Sequence, residues 1–99
     1  MVEYTFSALN QTSPPIFVDR GKILAISLSG TFSATITIDR FIPEYDNAPD
    51  YPAAGSTRWQ TVSTDTTPTE TKVDFGEGVW YRAKCTVYAS GSPKIIMYC

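Results

Sequence analysis

The chain of 99 residues contains no histidine. That single absence removes Ser-His-Asp triads, Cys-His dyads and the commonest zinc ligand together. No cluster of Lys and Arg occurs, and the net charge is −2, so the electrostatic footprint of a nucleic-acid binder is missing. No apolar run is long enough to span a bilayer, and the N-terminal stretch MVEYTFSALNQ lacks the basic and apolar regions of a signal peptide. Neither nucleic acid nor a membrane is therefore expected as a partner. Only two cysteines are present, Cys85 and Cys99, too few for a disulfide framework. They read as free thiols, in keeping with synthesis in a reducing cytosol. No glycine-rich phosphate loop is found, because Gly76-Glu77-Gly78 leads into a strand rather than a helix. No cofactor and no metal is expected.

What is present is β-forming. Thr, Tyr, Ile, Val and Phe are plentiful, and helix formers are few. In the stretch Gly78–Tyr98, Val79, Tyr81, Ala83, Cys85 and Val87 fall on one side of a period-2 pattern, and Trp80, Arg82, Lys84, Thr86 and Tyr88 on the other. Such alternation describes a long strand with one apolar face. A short loop, Ala89-Ser90-Gly91-Ser92, precedes a second apolar run from Lys94 to Tyr98, which predicts an antiparallel hairpin. A turn centred on Ser90-Gly91 places Cys85 opposite Ile96 and Cys99 opposite Arg82, too far apart to bond.

Earlier in the chain, residues 1–15 read either as an N-terminal arm that orders against a partner or as a first edge strand. Pro14 and Pro15 end that segment. Ile16–Val18, Lys22–Ser29 and Thr31–Phe41 read as strands. In the last of these Phe32, Ala34, Ile36 and Ile38 face inward, and a ladder of threonines faces out. Thr57–Ser63 resumes the alternation, with Trp59 and Val62 expected in the core, and Thr71–Phe75 adds a short strand. About seven strands, no helical period and turn signals every eight to twelve residues give the fold class: all-β, one antiparallel β-sandwich domain of immunoglobulin-like size.

The longest irregular stretch, Ile42–Ser56, holds three prolines, the acids Glu44, Asp46 and Asp50, and two tyrosines. Paired carboxylates can hydrolyse glycosides or hold calcium, yet the prolines break any calcium-loop spacing, and a solvated acidic loop is the simpler reading. Asp39-Arg40 reads as a surface or inter-strand ion pair. No catalytic residue is assigned, and the chain is read as a non-enzyme. Binding is the better prospect. Phe41, Tyr45 and Tyr51 form a candidate aromatic patch, while Trp80 and Tyr88, opposite the core side of their strand, either cover a neighbouring strand or meet a second chain.

The series Gly30–Phe41, then Trp59 with Val62, Gly78-Val79-Trp80-Tyr81-Arg82, and Cys85–Tyr88 with Ser90-Gly91 resembles small β-sandwich virion proteins of tailed bacteriophages. The likeness covers residues 30–98 and departs from the pattern in the long Ile42–Ser56 loop. The resemblance implies a structural role in the virion, after synthesis in the host cytoplasm. That role is a capsid decoration (cement) protein on the major capsid protein, or a tail or head-fibre component, in either case as a homo-oligomer. The alternative is a carbohydrate-binding or adhesion module in which Tyr45, Tyr51 and Trp80 stack on sugar rings.

Overall fold

The computed structural model describes residues 1–42, 58–73 and 78–99. These form eight strands: β1 (Val2–Thr5), β2 (Ile16–Val18), β3 (Leu24–Ser29), β4 (Phe32–Phe41), β5 (Trp59–Asp65), β6 (Thr69–Val73), β7 (Val79–Gly91) and β8 (Lys94–Tyr98). No helix occurs among the described residues. Two four-stranded antiparallel sheets result, ordered β1-β8-β3-β6 and β2-β7-β4-β5. The expected sandwich is therefore present, with eight strands rather than seven.

The order has a simple origin. Strand β1 pairs with β8, β2 with β7, β3 with β6 and β4 with β5. These are the rungs of one long antiparallel ribbon folded at its midpoint. Rolling that ribbon brings β8 against β3 and β7 against β4, closing both sheets. Such a double-sheet roll is a jelly roll, a different connectivity from that of an immunoglobulin domain.

The roll overturns the expected terminal hairpin. β7 and β8 are consecutive but lie in opposite sheets, so the Ser/Gly segment between them crosses the sandwich instead of closing a ladder. Cys85 accordingly pairs with Ile36 on β4, and not with Ile96. Both cysteines are free, Cys85 buried and Cys99 exposed.

The core follows from the alternation. Leu24, Ile26 and Leu28 of β3 and Ile95 and Met97 of β8 face Ala34, Ile36 and Ile38 of β4 and Val79, Tyr81, Ala83 and Cys85 of β7. Burying an aliphatic side chain of this size contributes about 1.5–3 kcal/mol, so truncating Ile36, which is fully buried, would cost about 2–5 kcal/mol.

The N-terminal segment is built into this body. β1 forms the edge beside β8, and Phe6 is fully buried. Residues 10–13 then run along β7: the Asn10 and Ser13 amides donate to the Cys85 and Ala83 carbonyls, and the Cys85 amide donates to Gln11. Pro14 and Pro15 have no N–H to offer a ladder. The buried Ser13 hydroxyl bridges the interruption by accepting the Ala83 amide at 2.9 Å.

Candidate functional site

Two surfaces of the sandwich carry unusual residues. The first is the outer face of the β2-β7-β4-β5 sheet. Phe17 on β2 lies opposite Trp80 on β7, their ring centroids 5.4 Å apart. Phe41 on β4 lies opposite Trp59 on β5, at 5.2 Å. The pairing of Arg40 with Tyr81, continued by one residue, sets Phe41 beside Trp80. Four aromatic residues thus cross four strands in one row, about 14 Å long at the usual strand spacing. The rings meet edge-on and tilted, and each is only partly exposed. Their geometry covers the sheet more than it offers a flat stacking platform.

A polar row runs parallel to it. The Arg82 Nε donates to Asp39 Oδ2 at 3.4 Å, and the Thr61 hydroxyl donates to Asp39 Oδ1 at 3.1 Å. The Arg82 guanidinium also lies over the Trp59 ring, 4.3 Å from its centroid. This pair is largely withdrawn from water, with side-chain exposures of 18% for Arg82 and 6% for Asp39. Beyond it, Thr37, Lys84 and Thr86 complete the lining of an open depression of about 310 Å³.

Of the residues singled out in the sequence, Phe41 and Trp80 lie in the aromatic row. Tyr45 and Tyr51, with Glu44, Asp46 and Asp50, lie outside the described residues. Tyr88 is not beside Trp80. β-Bulges shift the β4–β7 register, so that Ile36 pairs with Cys85 but Thr35 pairs with Val87. Thr86 is the extra residue, so Val87 and Tyr88 change face, until a further extra residue at Ala89 restores the alternation at Ser90. Val87 is consequently exposed, whereas Tyr88 packs against the core and donates its hydroxyl to the Gly91 carbonyl at 2.7 Å. A bulge on β5 likewise turns Val62 toward the core and leaves Trp59 outside it. Asp39 pairs with Arg82 and not with its neighbour Arg40, which donates to Gln60. The Arg82–Asp39–Trp59 cluster could have been sought as alternate outward positions on three strands, but the strand order that joins them is not local information.

The second surface is the outer face of the β1-β8-β3-β6 sheet. Tyr98 pairs with Ala25, and Ser27 with Ile96. Ala25, Ile96 and Tyr98, with Ile23 just before β3, make a small apolar patch in which Ile23 and Tyr98 are about half exposed. It is edged by the Lys94–Glu3 ion pair, at 2.9 Å. No local signal in the sequence marks it, because Ile23, Ile96 and Tyr98 look like ordinary strand residues.

Burial pushes the Cys85 thiol and the Asp65 carboxyl up from their ordinary pKa values. A raised thiol pKa keeps Cys85 protonated and unreactive. No group of three or more potential metal ligands occurs among the described residues. Comparison with known proteins returns no matching family model, no matching curated protein and no matching solved structure.

Proposed function

We propose that this chain is a non-enzymatic structural protein of a tailed-phage particle, a decoration protein that seats on the major capsid protein. The observation that carries the reading is the apolar patch of Ile23, Ala25, Ile96 and Tyr98 on the outer face of the β1-β8-β3-β6 sheet. Contiguous exposed apolar side chains with a polar border are the usual mark of a protein contact. A sheet face is rigid, so it docks with little ordering cost. The resemblance of residues 30–98 to small virion β-sandwiches, and a fold type common among capsid proteins, point the same way. Repeated over a shell, even interfaces of about 800 Å² per partner reinforce one another.

The test is occupancy on purified particles, by quantitative mass spectrometry against the major capsid protein. Hundreds of copies are expected. The double substitution Ile23→Ser, Tyr98→Ser should lower occupancy at least tenfold while the isolated domain keeps its thermal midpoint within a few degrees. Absence from particles, or full occupancy by the double variant, refutes the proposal.

A second reading, a carbohydrate-binding module, is favoured by the Arg82 depression. It uses the opposite sheet, so the two roles are sterically compatible.

A further inference from the structure

We infer that the depression on the outer face of the β2-β7-β4-β5 sheet is a binding site for a carboxylated sugar, of the hexuronate type. The argument begins with Arg82. A guanidinium carries N–H donors on Nε and on both Nη atoms, in a planar fork matched to a carboxylate. Here Nε is engaged by Asp39 and the guanidinium rests on Trp59. Among the described residues no acceptor is in hydrogen-bonding position for either Nη. The side chain is nevertheless only 18% exposed. A long, entropically costly side chain is thus fixed at its base, while its Nη donors have no acceptor among the described residues. That is a preorganised oxyanion fork.

Lys84 supports the same charge. It follows Arg82 by two residues, on the same side of β7 and about 6.8 Å along the strand. It lines the depression without an ion-pair partner among the described residues. With Asp39 balancing Arg82, the site keeps, among the described residues, one uncompensated positive charge, on a chain whose net charge is −2.

The threonines decide between kinds of anion. Thr37 donates its hydroxyl to the Lys84 carbonyl, Thr61 to Asp39, and Thr86 to the Thr35 carbonyl. The Thr61 bond is the shortest, at 3.1 Å, and those of Thr37 and Thr86 are longer, at 3.4 and 3.5 Å; all three oxygens keep acceptor capacity. A phosphate or a simple carboxylate brings only acceptors and leaves these oxygens unmatched. A sugar acid brings a carboxylate for the fork and hydroxyl donors on adjacent carbons for the threonines. The depression, about 310 Å³, falls at the small end of ligand sites, which begin near 300 Å³, and suits one sugar residue. Its open side leaves room for the rest of a glycan.

The experiment is a titration of the isotope-labelled full chain with sodium glucuronate, followed by two-dimensional NMR. Glucose, acetate, inorganic phosphate and a glutamate-rich peptide serve as comparison probes. The expected result is a saturable shift of the Arg82 Nε–H and Trp59 indole signals with glucuronate, at least tenfold weaker with each other probe. Lys84→Gln, at the surface, should keep the fold and weaken glucuronate binding severalfold. Arg82→Lys, which keeps the charge and loses the fork, should weaken it at least tenfold. An equal response to glucose shows that the carboxylate is not read, and overturns the inference. So does an equal response to acetate or phosphate, which would mean a plain anion socket, or to the peptide, which would mean a protein contact. No saturable shift also overturns it. None of these readouts involves Ile23 or Tyr98, so this inference and the capsid-docking proposal stand or fall separately.

Discussion

Replacing Gly91 by alanine should be among the most damaging small substitutions in this chain. Gly91 ends β7 with φ at +93° and lies opposite Phe32 of β4. A Cβ added there would press on the Thr31 carbonyl oxygen and sit 2.5 Å from the Phe32 Cα. Both are backbone atoms at the entry to β4, so relief requires parting the start of β4 from β7. Gly21 is a built-in control. It has a similar φ, +86°, but nothing within 4 Å of the added Cβ. Left-handed backbone alone costs an L-residue about 1–2 kcal/mol, and overpacking adds about 1–3 kcal/mol. Gly21→Ala should therefore cost about 1–2 kcal/mol and Gly91→Ala about 2–5 kcal/mol, against a total stability of about 5–15 kcal/mol for a domain of this kind. Urea unfolding separates them: at an m-value of about 1.5 kcal/mol/M, a difference of about 2 kcal/mol moves the midpoints apart by more than about 1 M. Equal midpoints for the two variants would refute the reasoning, because they would show that close contact at Gly91 adds nothing to backbone strain.

Two further expectations follow from buried polar groups. Ser13→Ala strips the Ala83 amide of its acceptor and should cost about 1–3 kcal/mol; hydrogen exchange at Ala83 should accelerate at the same time, and unchanged protection would count against the bridging role. Burial raises the Asp65 carboxyl pKa, so this group's contribution to stability is full below the unfolded value, about 3.9, and is lost as pH rises through the folded one. Asp65→Asn should thus raise the thermal midpoint at pH 7 and leave it unchanged in acid, where the native carboxyl is already neutral. A gain of equal size at both pH values would contradict the assignment.

The strands themselves were legible in the sequence, because a sheet with one dry face imposes period 2 on the chain. Leu24-Ile26-Leu28, Ala34-Ile36-Ile38 and Val79-Tyr81-Ala83-Cys85 are all found inward as the alternation requires. Partner choice was not legible. A Ser/Gly segment between two apolar runs can close a hairpin or cross from one sheet to the other, and at Ser90-Gly91 the local residues are compatible with both. Bulges were equally silent. One extra residue at Thr86 exchanges the faces of Val87 and Tyr88, which moves a presumed interface aromatic into the core. Phe41, expected in an aromatic patch with Tyr45 and Tyr51, and Trp80, expected on the outer side of its strand, are found on one sheet face. The Arg82 fork beside them depends on Asp39 and Trp59 arriving from other strands, which no local pattern encodes.

The ribbon connectivity has a consequence for synthesis. β7 is the inner neighbour of both β2 and β4, and β8 of both β1 and β3. Each sheet thus receives an interior strand only after the first six strands have been made. Until Lys94–Tyr98 has left the ribosome, β1 has no partner and β3 has an open edge. Folding of this chain is therefore a late, long-range event that cannot proceed strand by strand as the polypeptide emerges. A ribosome-bound nascent chain with β8 still inside the exit tunnel should be protease-sensitive throughout β1–β7, and these strands should become resistant in a single step once β8 is free.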